Sequence, residues 1–424
     1  MTKKTRRILF AIFLAIFIVV APVLALYYQG YRLDLKNKKI TQTGGIFIKT
    51  LPKAAEIYLD GKLVKKTDLF FGTALIENVF PQKHQLEVRK NGFYSWKKEV
   101  EIKEKEVTEA KQIVLFPQDP KFTILAKGIE DFWGSPDGLK LVFKEKEENS
   151  WVLKLYELAK QIKSPLLKET AISKKGADLL SLEISEDSKE IYLSLGFEER
   201  EKDFALGLDQ FPPQLTEKKD SLLPEITNFL TYQQTGNNIY YLDNLGNLFL
   251  FNSSTKEKNK LSDSPFPIEQ ETKYKIFVFS DYIFLQKGEN LYLFDQESKS
   301  FKSFFERFNS LKISPDWGKL VYFSDSEVWV FNLRENNGQP KLKSGEKFFL
   351  ARFSEKIKDV FWLNSDYLVS NVGQKIKIIE VDKNNINILD LAEFKNPKMF
   401  WNSTDKKIYL LSEENLFVSE KLIP

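Results

Sequence analysis

The sequence predicts an all-β protein behind one apolar N-terminal helix. Three observations carry that reading. The 424 residues include 36 Phe and 16 Tyr, and aromatic residues favour pleated, half-buried surfaces. Apolar and polar residues alternate in short runs, each bounded by Gly, Asn, Asp, Ser or Pro. A phrase, "SPDGLKLVF" at 135–143, returns as "SPDWGKLVYF" at 314–323. The chain is too long for one ordinary domain, so more than one β unit is expected.

The N-terminus comes first. Residues 1–7 form a basic tail carrying Lys3, Lys4, Arg6 and Arg7. Ile8 to Leu26 is an uncharged apolar run of 19 residues, about 28 Å of helix, enough for a bilayer core. Tyr27, Tyr28 and Tyr31 follow, where an interfacial aromatic belt belongs. A transmembrane signal anchor over 8–28 is expected, with the basic tail cytoplasmic and the bulk of the chain extracytoplasmic at the cell membrane. The competing reading is a signal peptide cleaved after Val23-Leu24-Ala25.

Composition excludes several chemistries. No Cys is present, which removes disulfides, thiolate metal sites and Cys nucleophiles. A single His removes His-rich metal sites. The net charge of +4 equals the four charges of the basic tail, and beyond it Lys and Glu are interleaved. That pattern describes solvated strand faces, so nucleic acid is not expected as a partner.

Residues 44–117 read as a small β-sandwich. Ile46 and Ile48, then Ala55, Ile57 and Leu59, then Leu86 and Val88, then Val100 and Ile102 alternate with polar or exposed neighbours. Asp60-Gly61 and Lys90-Asn91-Gly92 supply turns. The run 51–62, "LPKAAEIYLDGK", and the later "HQLEVRKNGFYSW" resemble a PEGA domain, with Pro52, Ala55, Asp60, Gly61, Gly92, Phe93 and Trp96 as the motif positions. Lys53 and Ala54 stand where the family has Glu and Gly, so position 54 is expected not to need a positive φ. The resemblance implies a non-catalytic surface or envelope domain. The one histidine, His84, is expected to be a partly buried residue at a strand edge, because no nucleophile partner is evident.

Residues 119–424 read as a β-propeller of seven blades. Turn-and-strand phrases begin near 135, 185, 235, 280, 314, 364 and 403, at intervals of 34 to 50 residues. Four-stranded blades repeat at about 40–45. Ser135, Pro136, Asp137 and Gly138, and again Ser314, Pro315 and Asp316, have turn chemistry: Pro presets φ and Asp accepts nearby N–H groups. Leu139, Leu141 and Phe143 are expected on one face and Lys140 and Val142 on the other, with blade packed on blade. The strand "FTILA" (122–126) is expected to close the ring on the last blade. The stretch resembles WD40-like propellers of the periplasmic TolB type.

No residue set names a reaction, a metal or a cofactor, and none is expected; the sequence singles out no ligand-contacting residue. Asp243 to Asn247 reads as a hairpin turn, not a calcium loop. Residues 196–230 do not look blade-like and are expected to be a recognition loop. The function expected is a membrane-anchored, non-catalytic envelope module whose propeller binds a protein or a glycan. The alternatives are a glycan-processing enzyme with a carboxylate pair in the channel, and a self-associating surface-layer component.

Overall fold

The computed structural model describes all residues except 1–2, 36–37, 149, 174–175, 198–199, 210–212, 218–225, 227, 336–341, 385 and 424. The chain divides into two compact units: Met1–Asp119 with the C-terminal Leu422–Pro424, and Pro120–Lys421. The propeller expected over 119–424 therefore lacks its last residues; Leu422 and Ile423 are buried and belong to the first unit.

The N-terminal helix runs Lys3–Tyr28, long and apolar enough to cross a membrane. It starts earlier than the apolar run, so Lys3, Lys4, Arg6 and Arg7 extend the helix and do not precede it. A two-stranded ribbon, Tyr31–Asp34 with Lys39–Gln42, follows.

The first unit is a sandwich of two sheets. One sheet has Gly44–Leu51 in the middle, flanked by Thr73–Val79 and, in parallel, Val107–Val114. The other orders Lys62–Lys66, Glu56–Leu59, Lys83–Arg89 and Trp96–Glu101. Their inner faces share one core of Ile46, Ile48, Ile57, Leu86, Val88 and Trp96. Each such side chain contributes about 1.5–3 kcal/mol by leaving water.

The second unit is a β-propeller built of seven four-stranded sheets among the described residues. Six are consecutive in sequence, beginning at Ile129, Asp178, Phe229, Tyr274, Ser310 and Ile357. The seventh takes Lys398–Asn402, Lys407–Ser412 and Asn415–Ser419 from the end of the unit and Phe122–Lys127 from its beginning. That first strand pairs antiparallel with the last, Phe122 opposite Ser419 and Ile124 opposite Phe417, and latches the ring as the sequence predicts.

Each of the seven phrases marks the turn between the first and second strands of a sheet. The alternation then serves two neighbours. Leu141 and Phe143 pack with Tyr409 and Leu416 of the seventh sheet, while Val142 packs with Leu182, Ile191 and Leu193 of the second. In the later copy Leu320 and Tyr322 meet Phe284 of the fourth sheet, and Val321 and Phe323 meet Ile357 and Leu368 of the sixth. Leu139 departs from the expected face: the strand begins at Lys140, and Leu139 lies exposed in the turn. Residues 196–230 also depart from expectation. Arg200–Gly207 and Leu215–Glu217 are the outer strands of the second sheet, and the expected recognition loop lies partly outside the described residues.

Candidate functional site

The repeated phrase is a structural device. Ser135 Oγ donates to Asp137 Oδ1 at 2.5 Å, and the same carboxylate accepts the Leu139 N–H at 2.9 Å. Lys140 N–H donates to Ser135 Oγ at 2.9 Å. Ser314, Asp316, Gly318 and Lys319 repeat this ring at 2.6, 3.1 and 2.9 Å, and Ser185 with Asp187 repeats it again. The lysine common to both phrases reaches the next sheet. Lys140 Nζ donates to Ser188 O and Asp209; Lys319 Nζ donates to Ser365 O and Asp366. Behind the first phrase, Asn402 Nδ2 donates to Gly138 O and Thr404 Oγ1 to Asp137 O. Burial pushes the Asp366 carboxyl above its usual value, and Lys319 works against that. Burial also works to raise the Asp316 carboxyl, but the Ser314 hydroxyl and Gly318 N–H outweigh it and hold it low.

The chemistry gathers elsewhere, on the inner strands. Four sheets in ring order, the sixth, seventh, first and second, line an open cavity of about 290 Å³. Its wall includes Trp133, Ile184, Asp359, Phe361, Lys398 and Phe400. Pro136 is the one residue of the repeated turns that lines it.

Two copies of one arrangement stand at this wall, with Trp133 and Lys398 of one and Asp359 and Phe361 of the other lining it. The inner strands Ile129–Gly134 and Ile357–Asn364 each break register near their start, at Ile129/Asp131 and Ile357/Asp359. A bulge re-aims the side chain that follows it. Asp131 Oδ1 then accepts the Phe132 N–H, and Asp359 Oδ1 accepts the Val360 N–H, both at 2.8 Å. Each aspartate also takes a lysine from the preceding sheet: Lys398 on Asp131 at 2.5 Å and Lys312 on Asp359 at 2.6 Å. Two residues beyond each aspartate stands an aromatic ring under the same lysine. Lys398 Nζ is 4.6 Å from the Trp133 ring centre, and Lys312 Nζ is 3.3 Å from that of Phe361. Phe400 links the two copies, edge-on to Phe361 and pressed so closely on Gly134 that a Cβ there would lie 2.2 Å from it. Burial pushes the Lys312 ammonium below its ordinary value, opposed by Asp359.

Such a wall offers aromatic surface, cations held over rings and carboxylates already bonded to N–H groups and lysines. It suits a ligand with apolar faces and polar edges. Among the described residues no cluster of three or more His, Asp or Glu has the arrangement to hold a metal ion.

The remaining sequence-singled residues serve the fold. Asp60 and Gly61 make a two-residue turn with φ of +49° and +78°. Ala55 and Trp96 lie in the sandwich core and Phe93 packs against it; Gly92 has φ +79°. Pro52 follows Leu51 in the strand end opposite Val114. Ala54 overturns the expectation made for it: its φ is +55°, so the position does take the left-handed conformation that a Gly would adopt without strain. His84 is the second residue of the strand Lys83–Arg89, near its start as expected, and is buried more fully than expected, at 6% exposure, with Nδ1 2.7 Å from Asp60 Oδ2 and Nε2 2.8 Å from Phe80 O. Asp243 accepts the Leu245 and Asn247 N–H groups, as a hairpin turn requires. The aspartates and lysines of the two copies were not singled out by the sequence; the signal available was a recurring Asp-x-aromatic at 131–133 and 359–361.

Comparison with known proteins gives a family for part of the chain and several similar folds. The PEGA domain family matches residues 43–114, so the first unit carries a PEGA domain. No curated protein matches the chain in sequence. In fold it is similar to a chain in the crystal structure of the mitotic checkpoint complex, at TM-score 0.46 and 10% identity over 72% of this chain and 92% of that one. It is similar to the β-propeller domain of Myceliophteria thermophila Cps50 (Swd1), at TM-score 0.43 and 11% identity over 72% and 99%. It is also similar to the extracellular domain of the putative hybrid two component system BT4673 from B. thetaiotaomicron, at TM-score 0.43 and 12% identity over 71% and 39%. The second unit is a β-propeller by its own sheet order.

Proposed function

We propose that this chain is a membrane-anchored, extracytoplasmic envelope protein that binds, without catalysis, a protein or glycan partner through the central cavity of its propeller. The observation that carries the reading is the doubled Asp–Lys–aromatic arrangement beside one cavity large enough for a single sugar ring or a large side chain, which Trp133, Asp359, Phe361 and Lys398 line. Ligand sites are concave, largely apolar, and carry a few fixed polar groups, and this cavity has that makeup. The helix Lys3–Tyr28 supplies the anchor, with its basic end in the cytoplasm.

The carboxylates support binding over catalysis. Asp131 and Asp359 each accept a backbone N–H and a lysine, so their oxygens are already engaged within the protein. A general acid needs a carboxyl free to reach the leaving group.

The test is a screen of the chain against envelope glycan fragments and envelope peptides by isothermal titration. One class should bind, and Trp133→Ala and Phe361→Ala should each weaken it about tenfold or more. Conversion of a fragment over time that depends on Asp131 or Asp359 would replace binding with catalysis. Wild-type affinity in both variants would move the site away from this cavity.

A further inference from the structure

The sandwich carries an apolar tip that its own core does not use. Leu69, Phe70 and Phe71 are 73%, 79% and 75% exposed, three consecutive large side chains in one loop. The loop is not slack. Asp68 Oδ1 accepts the N–H groups of Phe70 and Phe71 at 2.8 and 2.6 Å, and Oδ2 accepts the N–H and hydroxyl of Thr73 at 2.7 and 2.6 Å. Gly72 turns the chain at φ +69°, where a Cβ would lie 2.5 Å from Thr50 O. The fold therefore holds these rings out in water by construction, and exposed apolar patches of this kind mark interaction sites.

The surroundings identify the partner. Lys53 Nζ donates to Phe70 O at the base of the tip, at 2.5 Å. Beside it runs the edge strand Lys62–Lys66, exposed at every position, with Leu63 and Val64 between Lys62, Lys65 and Lys66. Lys66 is paired with Glu56, and Asp68 is spent on its own loop, which leaves the flank basic as well as apolar. Apolar side chains that insert and lysines that meet anionic headgroups are the two components of interfacial membrane binding.

We propose that this flank, with Leu69, Phe70 and Phe71 at its tip, docks on an anionic phospholipid bilayer surface. The inference rests on the reading of the helix as an anchor, which confines the sandwich to that surface. The helix end is tied to the sandwich by Arg32 on Asn78, at the opposite end of the strand Thr73–Val79 from the tip. That strand is about 20 Å long. Helix end and tip can meet one plane when the sandwich lies on its side, with the lysine-bearing edge strand, which leads into the tip, beside that plane.

The absence of Cys permits a clean test. Full-length Phe70→Cys, labelled with an environment-sensitive fluorophore, is reconstituted in vesicles of phosphatidylcholine with phosphatidylglycerol. Gln112→Cys, exposed on the opposite sheet, is the control. At position 70 a blue shift, quenching by lipid-borne bromine and protection from aqueous iodide are expected; at 112, none of these. Iodide access at 70 equal to that at 112 would overturn the proposal. So would a blue shift at 70 that grows with protein concentration in lipid-free detergent, which would assign the tip to a second copy. Intact mass of the vesicle-bound chain separates the two readings: loss of the helix ends the anchor, while quenching at 70 still decides the tip.

Discussion

The two units solve one problem, covering strand faces and edges, in opposite ways. The sandwich has a single core between two sheets, so its strand Lys83–Arg89 buries Leu86 and Val88 on the core side. Its edges stay open, and the edge strand Lys62–Lys66 is exposed and lysine-rich, which blunts pairing with other chains. The propeller leaves only short outer strands exposed, such as Lys258–Lys260. Its middle strands bury both faces: Tyr367–Val372 is buried at all six positions. The same period-2 residue pattern therefore means in-and-out in one unit and left-and-right neighbour in the other. An edge in the sandwich is a surface available for docking; in the propeller, the gap between the first and last sheets is a defect to be closed.

The largest test of that contrast is the latch. Replacing residues 122–127 with a Gly-Ser segment of equal length opens the ring at the seventh sheet and strips the edge of Asn415–Ser419. The propeller should lose about 4 kcal/mol or more, roughly 10 °C in its melting temperature. The sandwich should melt unchanged. Calorimetry that finds the propeller's transition unmoved would show that ring closure is not what holds it.

A smaller effect is expected at the inter-sheet clamp. Lys319→Met leaves Asp366, with its side chain 22% exposed, without its cation, and should cost about 2 kcal/mol at neutral pH. The pH dependence has a definite sign. The Asp366 carboxyl is raised in the folded state by burial, so the fold carries the cost of ionising it above that pKa. The cost is relieved as pH falls through the folded value toward the unfolded value of about 3.9. Removing Lys319 raises the carboxyl further, so the deficit of the variant should narrow as the pH falls from about 7 to about 4. Denaturant titrations of both proteins across that range check it; a constant deficit would mean that Lys319 acts through packing alone.

The sequence displayed the scaffold well and the site poorly, for a physical reason. Turns need particular residues at particular places, so Ser135-Pro136-Asp137-Gly138 and Ser314-Pro315-Asp316 were legible, as was the closing strand at 122–126. The cavity wall is assembled from residues far apart in the chain: Lys398 lines it and is held by Asp131 across 267 positions, a pair that only ring closure brings together. Lys398 in isolation is one of many lysines on polar strand faces. The outer strands at 200–217 escaped because "REKDFALG" and "LTE" carry little apolar alternation, as suits the exposed rim of a blade. Ala54 escaped because a residue's identity reports what a position tolerates, not the φ that it adopts.

The smallest expected effect compares one strained residue in each unit. Ala54 sits at φ +55° in the sandwich and Trp317 at φ +58° in the propeller. A Cβ in that conformation costs about 1 kcal/mol, part of which a glycine returns through its freer unfolded chain. In the first phrase the order is Gly138-Leu139, with Gly138 at φ +68°; in the later phrase it is Trp317-Gly318, with the bulky residue on the strained site. Trp317 is 60% exposed, and a Cβ at Gly318 would meet nothing closer than the Asp316 carboxyl at 3.4 Å. Exchanging the two, Trp317→Gly with Gly318→Trp, should stabilise the propeller by about 1 kcal/mol, and Ala54→Gly should stabilise the sandwich by about half of that. Chemical denaturation reads both. A loss of stability in the exchanged variant would mean that the Trp317 side chain holds the turn by a contact worth more than the strain it imposes.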